Sequence, residues 1–274
     1  MRINNNITAI NSHRQYGINA GNISRNMERL SSGFRVNRAA DDAAGLAISE
    51  KMRSQIRGLN QASRNSQDAI SLVQTAEGGM QTIQDVLQRM RELAVQSSSD
   101  TNTEEDRNAL QAEFTALRSE ISDISTRTEF NTMVLLNDEE MFITVQSGAN
   151  GGQTTRLDIP DLDPNALGAG GLTNASTVAT ADGARAAIGA LDSALQSVSM
   201  ARANIGAVQN RLEFKIQNLN NQAENIAAAE SRIRDADMAA TMTEFTKNNI
   251  LFQASTAMLA QANSQPQSVL QLLG

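Results

Sequence analysis

The chain has 274 residues, of which 40% are hydrophobic but only 3% aromatic, with no Trp, one Tyr, no Cys and a net charge of −7. The lack of cysteine excludes disulfides, thiolate metal sites and cysteine nucleophiles, and so few rings are unlike the core of a compact enzyme. Ala, Leu, Ile, Val and Met instead build the cores of long packed helices, and the only prolines, Pro160, Pro164 and Pro266, leave residues 1–159 and 165–265 free of that breaker.

The N-terminus, MRINNNITAI, has no continuous apolar core and no small-residue cleavage site, so it does not read as a secretory signal. Ile3, Ile7 and Ile10 follow helical spacing, and Ile23, Met27 and Leu30 resume it. This predicts a helix over roughly residues 5–31, weakened by Gly17 and Gly21. Residues 30–58 are rich in charge and small residues, with weak periodicity. They read as a connector holding one short helix at 43–53.

From Leu59 the pattern sharpens. Leu59, Ala62, Ser66, Ala69, Val73, Ala76, Met80, Ile83, Leu87, Met90 and Ala94 keep 3–4 spacing, which predicts a long coiled-coil helix with a soft spot at Gly78-Gly79. The polar run 97–106 ends it. Thr103 and Asp106 form a capping-box-like start for the next helix, in which Leu110, Phe114, Leu117, Ile121 and Ile124 face an antiparallel partner.

Residues 130–165 change character. Val134–Leu136, Phe142–Val145 and 154–159 read as short strands, with Asn150-Gly151 as a two-residue hairpin turn. Residues 167–183 read as loop. Ile188, Leu191, Leu195, Val198, Arg202 and Ile205 then hold heptad spacing, and Val208 to Ile226 continue it after a stutter. This predicts a helix to about residue 234. A last stripe, Met238, Met242, Phe245, Asn249, Phe252, Thr256 and Leu259, ends at Pro266.

The expected fold is mainly α: a long antiparallel helical hairpin and coiled-coil bundle with a small β-hairpin region at its distal end. Its expected divisions are a discontinuous terminal coiled-coil domain (1–40 with 236–274), a connector (41–57) and a helical shaft (58–235) carrying the β-loop region 130–184. Both ends are neutral: residues 3–13 and 248–274 contain no Asp, Glu, Lys or Arg. Chain ends are ordinarily solvated, so neutral, apolar-striped ends point to burial against other copies of the chain. Ile3, Ile7, Ile10, Met242, Phe245, Phe252, Leu259 and Leu270 are the candidate packing residues. Polar groups through the tail make it a poor membrane span.

Charge is uneven. Residues 1–64 carry ten basic and four acidic side chains, and residues 65–210 carry eight and twenty. A basic arm is one signature of nucleic-acid binding. Here the basic residues alternate with Asp41, Asp42 and Glu50 and lack stacking aromatics, which favours charge matching between copies instead. Arg35, Arg38, Asp41, Asp42 and Arg53 are the candidate polar contacts.

The stretch LSSGFRVNRAADDAAGLAISEKMRSQIRGLNQASRNSQDAISLVQTAEG resembles bacterial flagellin, the filament subunit of the flagellum. So do MRINNNITA, QRMRELAVQ, RTEFN, GAVQNRLEFKIQNL and NIAAAESRIRDADMAATMTEFTKNNILFQASTAMLAQANSQPQSVLQLL; together these motifs span roughly residues 1–135 and 185–273. Large outer domains of other flagellins have no counterpart in the short middle. The resemblance implies a non-enzymatic subunit that polymerises into a hollow helical filament for swimming. It implies no cofactor, export through the flagellar type III apparatus, and partnership with an export chaperone, a filament cap and hook-junction proteins. It also implies a patch, Arg89, Leu93 and Glu113, like the one that host Toll-like receptors bind. The alternative within the same fold is a hook–filament junction protein.

Other chemistry is weakly supported. His13 is the only histidine and sits in a helical stripe near a chain end, where a surface role outweighs a catalytic triad. Asp41-Asp42 and Glu104–Asp106 are adjacent acids that do not face one another on a helix and lack a metal-loop pattern. The glycines at 168, 170 and 171 have no following Lys-Ser/Thr for a phosphate loop. Met80, Met90, Met238, Met242 and Met258 read as adaptable packing. Asn174-Ala175-Ser176 fits the glycosylation triplet, a pattern common by chance.

Overall fold

The computed structural model describes residues 6–137, 142–167, 172 and 177–273, with side chains of the last helix through residue 265. Five helices dominate: α1 (Ile7–Ser32), α2 (Ala43–Ser97), α3 (Glu104–Arg127), α4 (Ala181–Arg234) and α5 (Met238–Leu273). Four short strands form two antiparallel pairs, β1 (Glu129–Phe130) with β2 (Met133–Val134), and β3 (Phe142–Gln146) with β4 (Thr154–Asp158). The chain divides into two compact units, residues 1–56 with 224–274 and residues 57–223.

In the second unit the predicted stripe is the core. Every α2 residue named from Leu59 to Ala94 is buried, and Met80, Ile83, Leu87 and Met90 are fully closed off. Phe114 and Ile121 of α3 join the same cluster. On α4 the buried positions include Leu191, Val198, Ile205 and Leu212, and also Ala184, Ala187, Ala194 and Ala201. These alanines, absent from the expected stripe, are small residues that let helices approach.

The α3 start is the capping box expected of Thr103. The Thr103 hydroxyl accepts from the Asp106 N–H at 3.3 Å, and the Asp106 carboxylate accepts from the Thr103 N–H at 3.0 Å.

Five expectations are corrected. Residues 43–53 are not a separate short helix in a connector but the first turns of the 55-residue α2. The Asp42 carboxylate accepts from the Gly45 N–H at 2.8 Å to open that helix, and nothing interrupts it afterwards. Gly78-Gly79 does not interrupt α2. A side chain at Gly79 would stand 2.8 Å from both Leu136 and Thr128, so this glycine is required for close approach. The β3–β4 connection is longer than two residues. Gln146 pairs with Thr154, and the turn runs through Gly152 in the left-handed region (φ 82°). Leu135 and Leu136, read as strand, lie outside it as buried core residues. The last helix also continues past Pro266 to Leu273.

In the first unit, α1 packs antiparallel on α5. Asn6 caps α1 by accepting from the Ala9 N–H at 3.2 Å, and its amide donates to the Ala262 carbonyl at 2.7 Å. Gly33, left-handed at φ 76°, closes α1 by donating to the Arg29 carbonyl. The glycines at 168, 170 and 171 and the triplet 174–176 lie outside the described residues.

Candidate assembly surface

The helices α1 and α5 make the site. Tyr16 of α1 packs on Phe252 of α5 with ring centroids 4.7 Å apart. Phe245, Phe252 and Leu259 are half-buried. Outside this line the helices present large apolar side chains to solvent: Ile7 and Ile10 are 61% and 62% exposed, and Met242, Ile250 and Met258 are also open. Among the described residues, ten of the fifteen exposed large hydrophobic side chains belong to the first unit. That unit's only buried apolar side chains, among the described residues, are Val36 and Ala262. Such a concentration of exposed apolar side chains fits an interaction surface better than a finished core. Ile3 and the side chain of Leu270, also expected here, lie outside the described residues.

The basic segment between α1 and α2 is held within its own chain. Arg38 donates to Glu28 at 2.8 Å. Asp41 accepts from the N–H groups of Arg38 and Asn37, which lower its pKa from the ordinary aspartate value. Arg53 pairs with Glu50 at 3.6 Å, and the Arg35 guanidinium donates to the Ile233 carbonyl. The organising group here is Arg234, which sequence reading passed over. Its guanidinium lies 4.8 Å over the Phe34 ring and donates to Glu50 at 2.6 Å, and its carbonyl accepts from the Arg35 N–H at 2.7 Å. It stands in a charged run, IRDAD, that looked like an ordinary helix end; only the fold brings Phe34 and Glu50 to it.

His13 is exposed on α1, with Tyr16 6.5 Å away. Among the described residues no group of three or more His, Asp or Glu side chains could hold a metal ion, and no helix is long and apolar enough to cross a membrane.

Comparison with known proteins resolves what this surface belongs to. The family model for the bacterial flagellin N-terminal helical region matches residues 3–140, and that for the C-terminal helical region matches residues 188–273. The chain belongs to the bacterial flagellin family. It is 56% identical to a flagellin of Halalkalibacterium halodurans and 50% identical to a flagellin of Bacillus subtilis, with the whole of each chain covered in both cases. A solved structure of a putative flagellar hook-associated protein from Vibrio parahaemolyticus shares the fold, at TM-score 0.59 and 13% identity, over 71% of this chain and all of that one.

As a flagellin, the chain is a structural subunit of the flagellar filament, and the exposed faces of α1 and α5 belong to a self-assembling protein. The candidate receptor patch is altered by the fold. Arg89 on α2 donates to Glu113 on α3 at 2.9 Å, and both side chains are about half exposed (51% and 45%). Leu93 is 1% exposed inside the core, so it is not part of this flagellin's accessible surface. Its heptad neighbours Met90 and Ala94 already put it near the buried face, which was the signal available in the sequence.

Proposed function

We propose that the open faces of α1 and α5 are the surfaces through which copies of this flagellin pack into the filament. The observation that carries the reading is the concentration of exposed Ile, Leu and Met in one unit that buries almost no apolar side chain of its own. Burying one Leu, Ile or Phe is worth about 1.5–3 kcal/mol, so a lattice that covers these faces gains many such increments per copy. Polar contacts by Arg35, Arg38, Asp41, Asp42 and Arg53 would set orientation more than strength, since exposed pairs contribute roughly 0–1 kcal/mol.

In this reading the terminal domain (1–40 with 236–274) assembles and the shaft (58–235) spaces and stiffens, while residues 43–57 are the first turns of α2 rather than a separate connector. The protein acts without catalysis or cofactor. It leaves the cell by flagellar export, handed over by a chaperone and inserted beneath a cap, and it meets hook-junction proteins at the filament base. A host Toll-like receptor would meet the paired Arg89 and Glu113. The junction-protein reading has a fold likeness behind it, but full-length identity to flagellins of 56% and 50% favours the filament.

Deletion of residues 248–274 tests the proposal. The truncated chain is expected to remain a soluble helical monomer, checked by circular dichroism and electron microscopy. Long filaments from it would overturn the packing assignment.

A further inference from the structure

Only three of the 23 basic residues are lysines: Lys51, Lys215 and Lys247. Lys51 and Lys247 are exposed, whereas Lys215 on α4 is half-buried. It lines a cavity of about 590 Å³ in the second unit, bounded by α4, the β3–β4 turn and Leu59 of α2. The Lys215 Nζ donates to the Thr155 hydroxyl at 2.7 Å. Thr155 and Ser147, both buried, share a hydrogen bond of 2.8 Å, and Ser147 donates to the Gln153 carbonyl at 3.4 Å. With the Ser147 proton on that carbonyl, the Thr155 proton goes to Ser147 and the Thr155 oxygen is left to accept from Lys215. The lysine is therefore held by a neutral hydroxyl and not by a carboxylate. Among the described residues no Asp or Glu lines the cavity. Glu213, the nearest acid along α4, stands two residues from Lys215, a spacing that does not bring side chains face to face, and accepts from Gln209 at 3.3 Å. Arg211 stands four residues back, a spacing that does, and lines the same cavity. Burial, and then the Arg211 charge, lower the Lys215 pKa from the ordinary lysine value.

We propose that Lys215 is a modification site for acyl phosphates: Arg211 receives the phosphate group while the Lys215 Nζ attacks the acyl carbonyl. A lysine is a nucleophile only as the free amine, and desolvation beside a second cation is the environment that raises the share of that form. A carboxylate partner would hold the proton on the nitrogen; the Thr155 hydroxyl does not. As the free amine, Nζ keeps one N–H on Thr155 and has its lone pair left for the substrate. The features that disfavour the ammonium also favour the reagent, since a cavity with two cations and no acid attracts an anionic phosphate. The bond from nitrogen to the acyl carbon forms as the bond from that carbon to the phosphate oxygen breaks. The phosphate leaves with the bonding pair, and the proton lost by the amine ends on it. The products are an amide at Nζ and inorganic phosphate, with nothing oxidised or reduced. Amide formation removes the Lys215 charge, so the modification switches this face of the shaft from two cations to one.

The test uses the full chain and acetyl phosphate at mildly alkaline pH, with acetylation of each lysine followed over time by peptide mass spectrometry. The two exposed lysines serve as internal references. Lys215 should be acetylated ahead of Lys51 and Lys247, and added inorganic phosphate should slow Lys215 alone. Arg211→Gln should slow Lys215 on the order of tenfold, the factor for one charge-assisted hydrogen bond, and leave the other two rates as they were. Arg211 is exposed, so the melting curve of this variant by circular dichroism should match that of the unaltered chain. The acetyl ester of N-hydroxysuccinimide, which carries no phosphate, separates a phosphate site from a merely reactive amine. With that reagent Arg211→Gln should slow Lys215 much less than it does with acetyl phosphate. Lys51 or Lys247 keeping pace with Lys215 in acetyl phosphate would overturn the proposal. So would a Lys215 rate that inorganic phosphate does not change, or equal slowing by Arg211→Gln with both reagents.

Discussion

The two units use the same heptad grammar to opposite ends. In residues 57–223 the stripe from Leu59 to Ala94 is closed by α3 and α4, and side chains such as Met80 and Leu87 lose all contact with water. In residues 1–56 with 224–274, an equally periodic pair of helices buries asparagine, serine and threonine at its seam and turns isoleucine and methionine outward. The first unit is inside-out relative to the second. Periodicity therefore signals a helix that must be covered, without saying whether its own chain does the covering.

The largest effect that could break this contrast is at Phe252. It is half-buried against Tyr16 in a tail with no charge. Phe252→Asp places an unpaired carboxylate at that contact. Filament formation should be abolished in electron micrographs, while thermal melting of the shaft helices followed by circular dichroism stays where it was. Normal filaments, or a collapsed shaft transition, would show that the units are not separable in this way.

Next in size is the converse change. Met80→Ala removes a fully buried side chain from the closed core and should cost about 2–5 kcal/mol. For a unit of this size each kcal/mol moves the melting temperature by roughly 2–4 °C. The loss should appear in the shaft transition, and filaments should still grow below the lowered melting point. Gly79→Ala is a smaller version, about 1–3 kcal/mol, because the new methyl must displace Leu136 and Thr128. A neutral or stabilising result would mean that the close approach at Gly79 relaxes freely.

Most of this contrast was legible in the residues. The α2 stripe, the limits of α4 and the Thr103 cap all follow from local spacing and side-chain chemistry, which act over a few residues. The unbroken start of α2 was not legible, since Asp42 capping Gly45 competes with a charge-rich segment that resembles a loop. The Arg234–Phe34–Glu50 cluster joins residues up to 200 apart in sequence, and no local pattern encodes it. Leu93 was placed on the surface by resemblance alone, against its own heptad phase. The described parts of the uncharged ends carry exposed Ile, Leu and Met side chains, while the buried Asn19 and Asn26 of α1 stand among residues that look solvated in the sequence.

The smallest predicted effect separates the capping groups from the apolar faces. The Asp106 carboxylate accepts from the Thr103 hydroxyl and then from the Thr103 N–H, and both hold its pKa below the ordinary aspartate value. Asp41 in the other unit is lowered by the N–H groups of Arg38 and Asn37. A carboxylate whose folded pKa is depressed contributes stability that is present above its unfolded pKa, about 3.9, and lost as pH falls through the lower folded value. Asp106→Asn should therefore melt below the unaltered chain at pH 6, with the gap closing as pH drops below the ordinary aspartate range. A gap that persists unchanged into strong acid would show that the charge of Asp106 does not matter to the cap. Thr103→Ala should cost about 0.5–2 kcal/mol near neutrality through the lost cap. The tail from Asn248 onward has no side chain that titrates in this window, so acid should loosen the α3 start and the turn held by Asp41 while leaving the apolar side chains chemically unchanged.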